Sequence, residues 1–273
     1  MRKLTMMKTN YRLSLEKALF SSNTIRAYMS AVDTYYNIYK EVSPENLFEY
    51  KVYLETHYRP RSANLLIIGL NRYLKFIGKS ELRIPTLKVT QKSYCDDIIS
   101  YKDYKRLKNV LKQEPERKWH FIVWTLAATG VRISELVQLK CEDVVIGHVD
   151  LRSKGNKVRR IFFPKRLHSQ LLKWLECRNT VDGALFLNDK GAPISIRGVT
   201  KGLERIAKKY GINKHLMHPH AFRHLFAKKF LESKTDLCML ADLLGHESLD
   251  TTKIYLRMSS SEQQKIIDDV VTW

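Results

Sequence analysis

The run Leu243-Leu244-Gly245-His246-Glu247-Ser248-Leu249-Asp250-Thr251-Thr252-Lys253-Ile254-Tyr255 closes a series of polar motifs that begins far upstream. The series opens at Thr129-Gly130-Val131-Arg132-Ile133-Ser134-Glu135-Leu136, continues through Ser153-Lys154-Gly155-Asn156-Lys157, and returns in His220-Ala221-Phe222-Arg223-His224. Arg132, followed by Glu135, Leu136 and Leu139, marks the start of an amphipathic helix expected over 132–139. The Lys154 turn lies between Val149-Asp150-Leu151 and Val158-Arg159-Arg160-Ile161-Phe162-Phe163, which read as strands near 144–151 and 158–163 joined as a hairpin. Helices are expected at 220–232, 236–243 and 248–256 around the later motifs. The fold class is therefore mainly α with a small antiparallel sheet.

These residue types suit one chemistry. A phosphodiester in displacement gathers negative charge on its non-bridging oxygens, so fixed cationic donors aimed there lower the barrier. Arg132 and Arg223 fit that task because a guanidinium is permanently charged and forks onto two oxygens. A phenol with a pKa of about 10 is a weak nucleophile at neutral pH, so Tyr255 needs a nearby base or a cationic field. His220 and His246 are candidates because imidazole titrates near the working pH. Lys154 is placed to protonate a leaving oxygen once neighbouring cations lower its pKa. Singly, each motif is ordinary. An Arg after Thr-Gly is surface charge, Lys-Gly-Asn-Lys is a hairpin turn, a Tyr after Thr-Thr is filler, and one or more of the crowded His215, His218 and His220 is structural. The weight lies in their joint occurrence.

The set resembles the tyrosine recombinase (phage integrase) family in order and local spacing, across the whole chain and most specifically from Arg132 to Tyr255. The resemblance implies a helical N-terminal core-binding domain, a mixed α/β catalytic domain, and site-specific cutting and rejoining of DNA. It implies that Arg132 and Arg223 clamp the scissile phosphate and that Lys154 is general acid on the 5′ oxygen. His220 would assist proton transfer, His246 support the phosphate, and Tyr255 attack to leave a 3′-phosphotyrosyl enzyme. No metal, ATP or other cofactor is needed. The implied partners are double-stranded DNA and further copies of the chain, a dimer per site and a tetrameric synapse, with or without a partner recombinase. Arg26, Arg61, Asn64, Arg72, Lys75 and Arg159 are the expected DNA contacts. Ser153 and Phe222 depart from the family's common Gly and Leu, without touching a chemical role.

Two other functions share parts of this pattern. A type IB topoisomerase uses the same chemistry on supercoils, and a DNA-binding regulator could keep the fold without catalysis. The small helical N-terminal domain and the apolar tail favour a recombinase over the first, and the filling of every chemical role disfavours the second.

Composition agrees. Lys and Arg number 48 against 28 Asp and Glu, a formal net charge of +20 that suits a polyanionic partner. Basic residues are spread among apolar segments, as in a folded DNA-binding protein. No apolar run approaches the roughly 20 residues of a membrane span, and Met1-Arg2-Lys3-Leu4-Thr5 lacks a signal region, so a cytoplasmic, nucleoid-associated location is expected. Cys95, Cys141, Cys177 and Cys238 form no Cys-x-x-Cys pair and read as reduced. The histidines lack ligand spacing, and neither a Walker lysine nor an acidic cluster offers a nucleotide or magnesium site.

Along the chain, Ile25, Tyr28, Met29, Val32, Tyr35, Tyr36 and Tyr39 fall on helical spacing over about 23–39, with the tyrosines read as core. Ser43-Pro44-Glu45 opens a second helix with a Ser cap and Pro in the first turn, and a third runs over about 62–77. The expected domains are 1–82, helical and DNA-binding; 83–97, a linker broken by Pro85; and 98–273, catalytic. Within the last, helices are expected at 101–113, 117–129, 165–177 and 196–210, and a short strand at 184–187 around Phe186. Ile266, Ile267, Val270 and Val271 give the C-terminal tail an apolar face suited to a neighbouring protomer. About twenty residues precede the first expected helix, too few for an arm-binding domain, so the simple two-domain, Xer-like type is expected. Resolving, inverting and mobile-element recombinases all fit it.

Overall fold

A computed structural model describes residues 2–89, 98–152, 158–178, 182–233, 236–245 and 252. The chain divides into two units, Met1–Gln91 and Lys92–Trp273.

The first unit is helical: α1 (Arg2–Lys17), α2 (Ser22–Tyr36), α3 (Pro44–His57) and α4 (Pro60–Phe76), then a 3₁₀ turn at Ser80–Leu82. Helix starts follow local chemistry. The Ser21 and Ser43 hydroxyls accept from the amides of Thr24 and Asn46, and Pro44 fills a first-turn position that has no intrahelical partner to lose. The core is rich in tyrosine. Tyr35, Tyr50 and Tyr73 are fully buried, with edge-on ring contacts, and burial drives all three phenols well above their ordinary pKa. They are core residues, as the helical spacing implies. Helix α1 starts well before the first helix expected from sequence. Its buried anchors, Tyr11 and Leu15, are a single i, i+4 pair among charged neighbours, too sparse for a periodic signal. The Asn71 side chain donates to the Ile84 carbonyl and accepts from its amide, and Asn64 does the same with Leu87. Ile84 is buried, so residues 84–87, read as linker, dock on the helical unit.

The second unit comprises α5 (Tyr101–Gln113), α6 (Lys118–Thr129), α7 (Ile133–Leu136), α8 (Cys141–Ile146), β1 (His148–Arg152), β2 (Val158–Phe162), α9 (Lys165–Arg178), α10 (Ile196–Lys209), a 3₁₀ turn at Lys214–Leu216, α11 (Pro219–Ser233) and α12 (Leu237–Leu244). Helix α6 is apolar nearly all round, with Trp119, Phe121, Ile122, Val123 and Leu126 buried, and forms the centre of this unit. Strands β1 and β2 pair antiparallel, from His148 opposite Phe162 to Arg152 opposite Val158. The mainly helical class with one small antiparallel sheet is as the sequence indicates.

Three local expectations are corrected. The helix expected over 132–139 is the four-residue α7. The strand expected from 144 starts at His148, because Cys141–Ile146 is helical and ends on Gly147 in the left-handed region at φ 89°. Around Phe186, itself buried, the chain makes isolated bridges, Lys140 with Ala184 and Leu187 with Pro193, rather than a strand. The expected apolar C-terminal tail lies outside the described residues, as does the helix expected over 248–256 apart from Thr252.

Candidate active site

Besides α8, two helices of the second unit end on glycines in the left-handed region, α6 at Gly130 (φ 62°) and α12 at Gly245 (φ 61°). Both ends are tightly packed. A Cβ on Gly130 would lie 2.5 Å from Phe226 Cδ1, and one on Gly245 would lie 2.4 Å from Arg159 Cδ. Only glycine satisfies both the backbone and the space at these positions.

The last carbonyls of a helix have no intrahelical donor and carry the negative pole of its dipole, so they attract cations. Here three arginines answer. The carbonyls of Leu243, Leu244 and Gly245 accept, in turn, from Arg159 Nη1, from Arg223 Nη2 at 2.6 Å and from Arg132 Nη2 at 2.9 Å. The second fork of Arg223 binds the Gly130 carbonyl at 2.6 Å, tying the end of α6 to that of α12. One carboxylate sits among these cations. Glu135 accepts from the Arg132 amide at 2.7 Å, from Arg132 Nη1 at 3.1 Å and from Arg159 Nη2 at 2.5 Å. Among the described residues, three guanidiniums against one carboxylate leave the cluster cationic.

Exposure separates the arginines. The Arg132 side chain keeps 33% of its surface open, whereas that of Arg159 keeps 5%. Arg223 is buried on α11. His220, one turn before Arg223, is exposed, yet partial burial of its ring, then the charges of Arg223, His218 and Arg132, lower its pKa below the ordinary imidazole value. The shift favours the neutral ring, which can accept a proton. His218 is structural: its Nδ1 accepts from the Ala221 amide at 3.2 Å, capping α11.

Of the expected catalytic residues, the structure brings Arg132, His220 and Arg223 together. Lys154, His246 and Tyr255 lie outside the described residues. The expected DNA contacts divide. Arg26, Arg61, Arg72 and Lys75 are exposed on the helical unit, where Arg72 and Lys75 line a cleft of about 500 Å³ with Arg83, Tyr28, Ile68, Asn71 and Ser80. Asn64 holds the Leu87 amide and carbonyl, and Arg159 is buried, held by Glu135 and the Leu243 carbonyl rather than exposed as a DNA contact would be. Glu135 and Arg159 are the members of this cluster whose place the motifs did not reveal. A group of three or more potential metal ligands is absent among the described residues. Among the same residues no helix is long and apolar enough to cross a membrane.

A cationic cluster on facing helix ends, with a neutral imidazole beside it, is a site for an oxyanion. Residues 98–262 match the phage integrase family. The chain is 31% identical over 260 residues to the tyrosine recombinase XerA of Pyrococcus furiosus, covering 91% of this chain and 88% of that one. It is 41% identical over 147 residues to the tyrosine recombinase XerC of Lactobacillus delbrueckii subsp. bulgaricus, covering 50% of each, so the match spans half the length of that relative. In fold it is similar to a lambda integrase tetramer bound to a Holliday junction, with TM-score 0.73 and 16% identity over 92% of this chain and 76% of that one. The chain belongs to the phage integrase family.

Proposed function

We propose that this protein is a site-specific recombinase that cuts and rejoins DNA strands through a 3′-phosphotyrosyl intermediate. The observation that carries this reading is the meeting of Arg132, Arg223 and His220 at the ends of α6 and α12. Preset guanidiniums stabilise the charge that develops on a phosphate in displacement without reorganising during the reaction. Arg132 and Arg223 hold the scissile phosphate, and Tyr255 attacks it. His220, whose neutral form is favoured, assists proton transfer, and His246 supports the phosphate. Lys154 protonates the departing 5′ oxygen. The bond energy stays in the phosphotyrosyl ester, and attack by a 5′-hydroxyl of a second duplex breaks that ester and releases the phenol, so neither ATP nor metal is consumed.

The substrate is double-stranded DNA, contacted by Arg26, Arg61, Arg72 and Lys75 of the helical unit. The working assembly is a dimer per site and a tetramer in synapsis, a reading supported by the likeness in fold to a lambda integrase tetramer bound to a Holliday junction. A cytoplasmic, nucleoid-associated place of action follows from such a substrate. The test is capture of nicked genomic duplexes of the host in excess EDTA without nucleotide. A covalent protein–DNA product at defined sites is expected. Relaxation of plasmids lacking those sites would indicate a topoisomerase, and adducts that appear only on adding a divalent metal would overturn the mechanism.

A further inference from the structure

Arg159 stands on β2 between exposed Val158 and Arg160, with Ile161 buried on its own side of the strand. Its guanidinium makes two connections. Nη2 meets the Glu135 carboxylate that also holds Arg132, and Nη1 meets the Leu243 carbonyl at the end of α12. Its Nε is buried without a hydrogen-bond partner among the described residues. Burying a cation with a donor unused costs stability, and burial lowers its pKa while Glu135 opposes the shift. Packing alone gives no reason for an arginine here, since a methionine would fill similar space without that cost. The missing side chain of Gly245 leaves the room through which Arg159 reaches the helix end.

We infer that Arg159 is a positioning residue: it sets the Arg132 guanidinium through their shared Glu135 carboxylate and fixes the end of α12, from which the chain runs on to His246 and Tyr255. The inference rests on the proposed reading of Arg132 as a phosphate-binding group. A lysine would not replace it, because a single ammonium lacks the rigid fork that spans carboxylate and carbonyl.

The test uses the full chain with Arg159→Met and Arg159→Lys, alone and with Glu135→Gln. Without DNA, amide exchange over 241–245 should rise by about tenfold in Arg159→Met, since hydrogen bonds to charged groups are the stronger class, while α10 changes little. On a nicked duplex recovered by the capture above, Arg159→Met should slow single-turnover adduct formation by about 10²-fold, as losing an oriented donor does, with DNA affinity nearly unchanged. Arg159→Lys should fall between the two. In the Glu135→Gln background the same substitution should cost little more, because both act through one carboxylate. Exchange that rises equally across the unit, affinity that falls in step with rate, or full additivity with Glu135→Gln would overturn the inference. Absence of any adduct from the unsubstituted protein would refute the functional reading, and the exchange measurement would still decide the role of Arg159 at the helix end.

Discussion

Replacing Gly245 by alanine should destabilise the second unit far more than the same change at Gly211, although the two backbones are nearly alike. Their φ angles are 61° and 63°, and a Cβ on Gly211 meets nothing within 4 Å. Gly211→Ala therefore costs only the left-handed conformation, about 1–2 kcal/mol. At Gly245 the new carbon would lie 2.4 Å from Arg159 Cδ and 3.0 Å from its Nε, so Arg159 must withdraw. Withdrawal opens its contacts with Glu135 and with the Leu243 carbonyl, and breaking a buried ion pair costs about 3–5 kcal/mol. The expected loss at Gly245 is thus roughly 4–7 kcal/mol when the conformational cost is included. Equilibrium urea unfolding followed by tryptophan fluorescence is the assay. All four tryptophans, Trp119, Trp124, Trp174 and Trp273, belong to the second unit, so the signal reports on that unit alone. Gly245→Ala combined with Arg159→Ala removes the clash, and adding the glycine change to Arg159→Ala should then cost little beyond the backbone term. Equal losses for Gly245→Ala and Gly211→Ala, within about 1 kcal/mol, would refute the idea that Arg159 is locked under this helix end.

Four further outcomes follow. Arg132→Ala should slow strand cleavage by about 10²-fold or more, the usual loss on removing one donor to a developing oxyanion, measured by single-turnover adduct formation. Arg223→Ala should be equally slow but also less stable, because the buried Gly130 and Leu244 carbonyls each lose a donor at about 1–3 kcal/mol; equal urea midpoints for the two variants would contradict this. His120 is buried with its Nδ1 at the Lys108 carbonyl, and burial lowers its pKa, with Lys108, Lys112 and Arg117 adding to the shift. Below about pH 6.5 the unfolded chain takes up a proton that the folded one resists, so stability should be constant above that pH and fall as pH drops through the folded value. His120→Gln should flatten the fall in urea midpoint between about pH 7.5 and about pH 5. Binding to duplex DNA should weaken steeply with salt, each neutralised phosphate adding about −0.9 to the slope of log K against log salt, and a flat response would mean that the +20 charge serves another partner.

Much of the fold is legible because helical periodicity is. The apolar positions of α2 recur on helical spacing, α6 is a continuous apolar run long enough for a helix, and the Ser43 cap marks the start of α3. Helix α1 escapes because Tyr11 and Leu15 are its only buried anchors among the described residues. Helix α8 escapes because Val144, Val145 and Ile146 form a short apolar run that fits strand or helix equally, and only Gly147 ends it as a helix. In the site, Arg132, His220 and Arg223 are legible because each sits in a local motif. Arg159, expected among the DNA contacts, is buried instead. Its strand alternates exposed and buried from Val158 to Phe162, so that Arg159 shares the inward side with Ile161 while Arg160 points out to pair with Asp150. Glu135 was visible three residues after Arg132, yet its second partner comes from β2, and no local spacing encodes a contact across so long a stretch of chain.

The central claim is that these arginines serve a phosphate attacked by Tyr255, and mapping the covalent adduct tests it most directly. Wild-type protein trapped on a nicked duplex in excess EDTA should yield, after proteolysis and mass spectrometry, one nucleotide-bearing peptide modified at Tyr255. Tyr255→Phe should form no adduct while binding the same duplex with unchanged affinity, since only the hydroxyl is lost. An adduct that persists in Tyr255→Phe, or that maps to another residue, would contradict the account.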